Sequence, residues 1–428
     1  MNAYKLIGPS LLAVLVLART GLTAPSQGLS SEEQQIADYA AAHVEDAITT
    51  LQQIVDIESP TENLAGVKQV GATLSKEFEA LGMTTHWIDM PADMKRAGHL
   101  VAETHGTQGK RLLLIGHIDT VLSGEKFRRE GNKGYGTGTS DMKAGVVVLL
   151  YALKALDAAG ALDNARIKVM LTGDEEDAGM PYEVSRGDLV AAAKESDAAL
   201  SFEATIDDTA TVGRRGASAW NIEVDGTTGH SGGIFGDVGS GAIFEASRIL
   251  DGFYRSLKGP KYLTFNPSVI VGGTQATLDD YTGNATGKSN VVPAKVYIMG
   301  DLRYISAKQE QAAHAKMSKI VAKNLPGTSA RITFQQGYPA MTPTKGNYAL
   351  LAELSEVSKD LGYGPVPALD PADRGAGDIG FISDLLPSLD GIGGAAGDNS
   401  HAPGEWVDLE PTPKLIQKAG VLIYRLSR

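Results

Sequence analysis

The chain has 428 residues and not one cysteine. That absence excludes disulfides, thiolate metal ligands, a cysteine nucleophile and a lipidated cysteine anchor. Basic residues are also in deficit, with 39 Lys and Arg against 51 Asp and Glu, a formal net charge of −12. A diffuse basic surface for nucleic acid or anionic membranes is thereby excluded, while a single local basic pocket is not. Beyond the N-terminus no apolar run approaches the ~20 residues of a membrane-spanning helix. What remains is 43% hydrophobic and 21% charged, the composition of an ordinary globular protein with room for two domains.

The first stretch, "MNAYKLIGPSLLAVLVLARTGLTAPSQG", has an early Lys5, an apolar core from Leu6 to Ala18 and a small-residue exit near Ala24. It reads as a signal peptide over 1–24, which predicts a bacterial periplasmic or secreted protein that is free of the membrane after processing. Export without disulfides fits a protein whose size alone supplies its core.

Past this segment the hydrophobic period predicts one long helix in "EEQQIADYAAAHVEDAITTLQQIVDI" and a second in "GVKQVGATLSKEFEALG". Strand-like runs then alternate with helices: "HLVAETHG", "RLLLIGHID", the helix "MKAGVVVLLYALKAL", then "ARIKVMLTG" and "DAALSFEA". This order predicts an α/β domain with a largely parallel sheet. Near Gly213 the style changes to alternating strands and amphipathic helices, and it reverts after Tyr338. The expected organisation is a catalytic domain in two parts, 25–213 and 339–428, with an inserted α+β sandwich over 214–338. "ASAWNIEVDG" reads as a half-exposed edge strand of that insert.

The chemistry-bearing residues cluster after strands. "LLLIGHIDTV" places His117 and Asp119 at a strand end, and "GYGTGTSDMKAG" delivers Asp141 just before a helix. "LTGDEEDAG" carries four consecutive acids, Asp174 to Asp177, "ALSFEAT" carries Glu203, and "GDNSHAPGE" carries His401. Open α/β sheets build their sites at these carboxyl ends. Adjacent carboxylates repel by about 4 kcal/mol at ~4 Å and an effective dielectric near 20, so the run demands a nearby positive charge. Carboxylates mixed with imidazoles, and no sulfur, suit zinc or a similar divalent ion. The Gly-rich loop lacks the Gly-Lys-Ser/Thr of a phosphate cradle. "TTGHSGG" satisfies Gly-x-Ser-x-Gly through Ser231, but no helix follows at once, as a serine nucleophile elbow requires.

The ordered set "GHIDTV", "GTGTSDMKAG", "GDEEDAG", "SFEAT" and "NSHAPGE" resembles the aminoacylase/carboxypeptidase family of co-catalytic zinc peptidases. The resemblance spans the whole mature chain. It implies a mostly parallel mixed sheet flanked by helices, plus a ferredoxin-like lid that pairs two subunits. It further implies two zinc ions per subunit, with His117 and Glu203 on one, Glu176 and His401 on the other, and Asp141 bridging. Asp119 would orient His117, and Glu175 would be the general base; Asp174 and Asp177 have no assigned role and are expected at the surface or behind the ligands. A cis peptide is implied after Asp141. His230 would polarise the scissile carbonyl, donated across a homodimer interface, and Asn290 and Arg303 would grip the substrate's terminal carboxylate. Glutamate-specific members read Gly-Arg-Pro-Ala where this chain has Gly337, Tyr338, Pro339 and Ala340. "GRRG", with Arg214 and Arg215, is a second departure.

The function this implies is an exported metallocarboxypeptidase acting on short peptides or N-acyl amino acids. An N-acyl-amino-acid deacylase is the same chemistry with another pocket. A two-lobed periplasmic binding protein is the competing class, and chelator-sensitive amide hydrolysis separates it from an enzyme.

Overall fold

The computed structural model describes residues 28–279 and 281–428; the expected signal peptide lies outside them. A six-stranded sheet forms the centre, in the order Thr84–Ile88, His99–Glu103, Ala165–Thr172, Gln108–His117, Ala198–Ser201, Ser388–Leu389. Its last four strands pair in parallel, and the first two join antiparallel.

Alternation along one strand explains the layers. Leu112 and Leu114 of Gln108–His117 face one core, with helices Ser31–Ala42, Ala144–Ala158 and Thr412–Leu426. Leu113 and Ile115 face the other, with Leu189, Ile379 and Ile382. Period-two side chains thus fill both faces, and both must be covered. Ala144–Ala158 is buried almost all round, which accounts for its unbroken apolar sequence.

The first expected helix is in fact two, Ser31–Ala42 and Val44–Val55. At His43 the ring stacks on Tyr39 at 3.8 Å and Nδ1 bonds the Tyr39 carbonyl at 2.9 Å, so side chain and backbone compete for one turn.

Between Gly216 and Gln335 the chain builds a separate four-stranded antiparallel sheet with its own core. The strand order Thr328–Gln335, Gly216–Gly226, Lys295–Tyr304, Thr264–Gly273 is the ferredoxin-like one. Helices Ala242–Leu257 and Ala307–Val321 cover one face, over Trp220, Ile222, Ile298 and Leu302. Gly216–Gly226 is therefore a central strand and not the edge that its alternation suggested. Alternation reports one covered face and is silent about neighbours in the sheet plane. The edges are Thr264–Gly273 and Thr328–Gln335.

Candidate metal centre

The carboxyl ends of the parallel strands converge on a cavity of about 320 Å³ lined by Asp141, Glu175, Glu176, Glu203 and His401. His117 ends its strand almost fully buried, with Nε2 3.1 Å from Asp141 Oδ1. The other oxygen of Asp141, Oδ2, lies 3.1 Å from His401 Nε2. His401 Nε2 is also 3.2 Å from Glu176 Oε2. Glu203 Oε1 is 4.0 Å from His117 Nε2 and 3.6 Å from Arg214 Nη1.

Three groups can each offer ligand atoms within 4.8 Å of one another: His117, Asp141 and Glu203; Asp141, Glu176 and His401; and His117, Glu175 and Glu176. Glu176 Oε1 is buried without a hydrogen-bond partner, an expensive condition for a carboxylate unless a cation meets it. The donor set, all imidazole and carboxylate, fits a divalent metal.

Electrostatics agree. Burial, reinforced by Glu203, Asp378 and Glu176, drives the Glu175 carboxyl well above its usual range against the pull of His117. Burial likewise pushes Glu176 up to about 7 although His401 pulls it down. Hydrogen bonds that His401 donates to Asp141 and Glu176 raise it to about 10. Crowded acids that raise one another mark a place short of positive charge.

The backbone around these groups is fixed by buried carboxylates. Asp119 accepts N–H bonds from Glu175 at 3.0 Å and Glu176 at 3.1 Å and a hydroxyl bond from Thr61 at 2.7 Å. Its Oδ1 is 3.4 Å from His117 Nδ1, so one carboxylate ties the histidine strand to the glutamate turn. Glu405, which the sequence reading missed, accepts from the amides of Gly138 at 2.7 Å, Ser140 at 2.8 Å and Asp141 at 3.0 Å. The Asp141–Met142 peptide is cis, as the resemblance implied. His401 is held at φ 65, the left-handed region that a non-glycine residue rarely adopts.

Asp174 is not at the surface. It is fully buried, and Arg186 donates to it at 2.7 Å while also donating to Asp378 at 2.7 Å. Arg186 is thus one of the positive charges that the acidic run requires. Asp177 is exposed and pairs with Arg96. Tyr338 donates its hydroxyl to the Glu175 carbonyl and packs edge-on against Tyr182 and Phe381. It braces the turn from behind.

His230, Asn290 and Arg303 lie on the ferredoxin-like unit and do not line this cavity. His230 is exposed, and its Nδ1 accepts from the Gly232 amide at 3.1 Å. Asn290 is exposed, and its carbonyl accepts from Ser231 N–H at 3.0 Å. Arg303 donates to Asp301 at 3.0 Å.

Comparison with known proteins agrees with this geometry. The family model described as Peptidase family M20/M25/M40 matches residues 113–424. Carboxypeptidase G2 of Pseudomonas sp. (strain RS-16) is 28% identical over 429 residues, covering 98% of this chain and 97% of the relative. Among solved structures, the aminopeptidase PepT of Bacillus cereus superposes with a TM-score of 0.70 at 19% identity, covering 90% of this chain and 99% of that one. The YXEP protein of Bacillus subtilis, described as a dinuclear metal binding peptidase from the M20 family, gives 0.62 at 16% identity, covering 90% and 99%.

Proposed function

The chain belongs to peptidase family M20/M25/M40, and from that premise we propose an exported di-zinc carboxypeptidase that hydrolyses the amide bond to a C-terminal amino acid. Membership makes the protein a metal-dependent hydrolase of the metallopeptidase class. The finer reading rests above all on Asp141, which turns one oxygen to His117 and the other to His401. A carboxylate so oriented suits a bridge between two ions. His117 and Glu203 would complete one site, Glu176 and His401 the other. Bound there, zinc would supply Lewis-acid activation of a water molecule and offset the surplus of negative charge. Similarity to a carboxypeptidase over nearly the whole chain favours peptides or N-acyl amino acids as substrates.

The chain's own residues divide the remaining work. Asp119 holds the His117 ring and the Glu175–Glu176 backbone in register. Glu175, part-buried beside Glu176 and 4.0 Å from His117 Nε2, takes a proton from the attacking water and passes it to the departing amine. His230 accepts at Nδ1, which leaves Nε2–H free to donate to a carbonyl oxygen. It serves the site of a second subunit in a homodimer formed through the ferredoxin-like unit. Exposed Phe235, Phe244, Tyr254 and Ile270 on that unit support such pairing. Asn290 and Arg303, carried by the same unit, would meet the terminal carboxylate.

Glu175→Gln tests the assignment. Two zinc ions should remain by elemental analysis, while turnover of N-acyl amino acids falls at least about 10²–10⁴-fold. Near-normal turnover with both metals bound would refute the general-base role.

A further inference from the structure

Arg374 enters the cavity from the loop that follows the short turn Pro371–Asp373. Its Nη2 donates to the Ala204 carbonyl, next to Glu203, and its Nε approaches Thr211 Oγ1 at 3.4 Å. Among the described residues no carboxylate forms an ion pair with it, and its Nη1 has no protein acceptor. The neighbouring Arg214 is the opposite case. Asp390 at 2.9 Å and Glu203 at 3.6 Å match its charge. Arg214 also fixes the loop that bears Arg374, by donating to the carbonyls of Gly375 at 2.6 Å and of Ala376. Gly377 lets that loop lie on the guanidinium, since a Cβ there would come within 2.5 Å of Arg214 Nη1. The loop is therefore a built support, with a cation at its tip facing the cavity.

We propose that Arg374 anchors a carboxylate of the substrate, supplied by the same chain that carries the metal-ligand set. This rests on the hydrolase reading above and deepens it to a substrate class: amides that present a carboxylate to the catalytic-domain wall. Tyr338, behind the glutamate turn, is spent on the Glu175 carbonyl. Arg303 lies on the other unit and is not part of this cavity's lining. Arg374 is the cavity-lining cation left without an anion. Burial and the Arg214 guanidinium weaken its hold on its proton, with Asp390 and Glu203 opposing. An incoming carboxylate would relieve that condition and could pair through two parallel hydrogen bonds.

Three sources of the carboxylate are separated by matched pairs offered to zinc-loaded protein. N-acetylglutamate against N-acetylglutamine reports a side-chain acid. N-acetylalanine against its amide reports the α-carboxylate. N-succinylalanine against N-succinamoylalanine reports an acid on the acyl part. In Arg374→Leu, kcat/KM for the acid of one pair should fall about 10- to 100-fold, as expected when an ionic hydrogen bond is lost. Its carboxamide partner should change less than about threefold, and Arg374→Lys should recover part of the loss. The carboxamide also serves as the folding control. Equal losses on acid and carboxamide in every pair, or no loss at all, overturn the proposal. Calorimetric binding of the same pairs to zinc-loaded Glu175→Gln, with and without Arg374→Leu, gives a readout independent of turnover. If wild type cleaves nothing in the panel, the N-acyl-amino-acid reading fails, and binding alone still decides Arg374. Acids that bind no tighter than their carboxamides then overturn its role.

Discussion

Asp174 and Asp378 share one guanidinium in an interior that water does not reach. Arg186 is itself buried, and its pKa is raised well above its ordinary value because, although burial opposes its charge, Asp378 and Asp174 more than compensate. Removing it strands two carboxylates, which typically costs about 3–5 kcal/mol. Arg186→Leu should lower the urea midpoint accordingly, and adding Asp174→Asn and Asp378→Asn should recover part of the loss. An unchanged midpoint for the single variant would show that the network carries no stability. At this scale the sequence was legible where chemistry restricts residue type. His117, Asp141, Glu176, Glu203 and His401, each weak alone, could be picked out because their motifs follow one another in the order that the family resemblance implies, and the folded chain brings them together. Asp174 could not be placed, since a run of four acids does not say which side chain turns inward. Arg374 and Glu405 were invisible for a related reason: each lies in an irregular loop, and only the folded chain brings it to the site.

The turn Gly138–Asp141 is held as an element by a single side chain from far along the sequence. Glu405 accepts three of the four loop amides, those of Gly138, Ser140 and Asp141, the arrangement by which helix starts elsewhere bind anions, here satisfied from within. Glu405→Ala should leave every proposed ligand in place yet weaken zinc about 10- to 100-fold, the usual cost of losing support behind a ligand. Competition with a chromogenic chelator measures this, and unaltered affinity would mean that the loop holds its shape unaided. Periodicity gave the type of most elements. It failed where a side chain competes with the helix backbone, at His43, and where sheet neighbours matter, at Gly216–Gly226. Neither fact is written in a local hydrophobic pattern, because one is a hydrogen bond and the other is long-range pairing.

For the whole molecule the open question is assembly. His230 does not line its own chain's cavity and is exposed, on a unit that also exposes apolar side chains. Mixing Glu175→Gln with His230→Ala should restore activity if the histidine acts across a dimer. Half of the sites in each mixed dimer would then carry neither change. Each parent alone should remain depressed, the histidine variant by about 10²–10³-fold as for loss of one carbonyl-oxygen donor. Demonstrated subunit exchange without recovery would place His230 outside the partner's chemistry.

The ferredoxin-like unit leaves and rejoins the catalytic body at one point. Arg214 N–H donates to the Met341 carbonyl at 3.0 Å, and Met341 N–H donates to the Arg214 carbonyl at 3.0 Å. To the body, everything between these residues is a closed loop clasped at its base. Closing such a loop costs only about 0.6 kcal/mol more for each doubling of its length, so its size is nearly free to vary. The clasp therefore separates two sets of constraints within one chain. The metal-ligand set, anchored in the parallel sheet, is constrained by chemistry, while the looped-out unit can lengthen, shrink or change its surface without disturbing a single ligand strand. Pairing surface and substrate reach can thus change without moving the metal-ligand set.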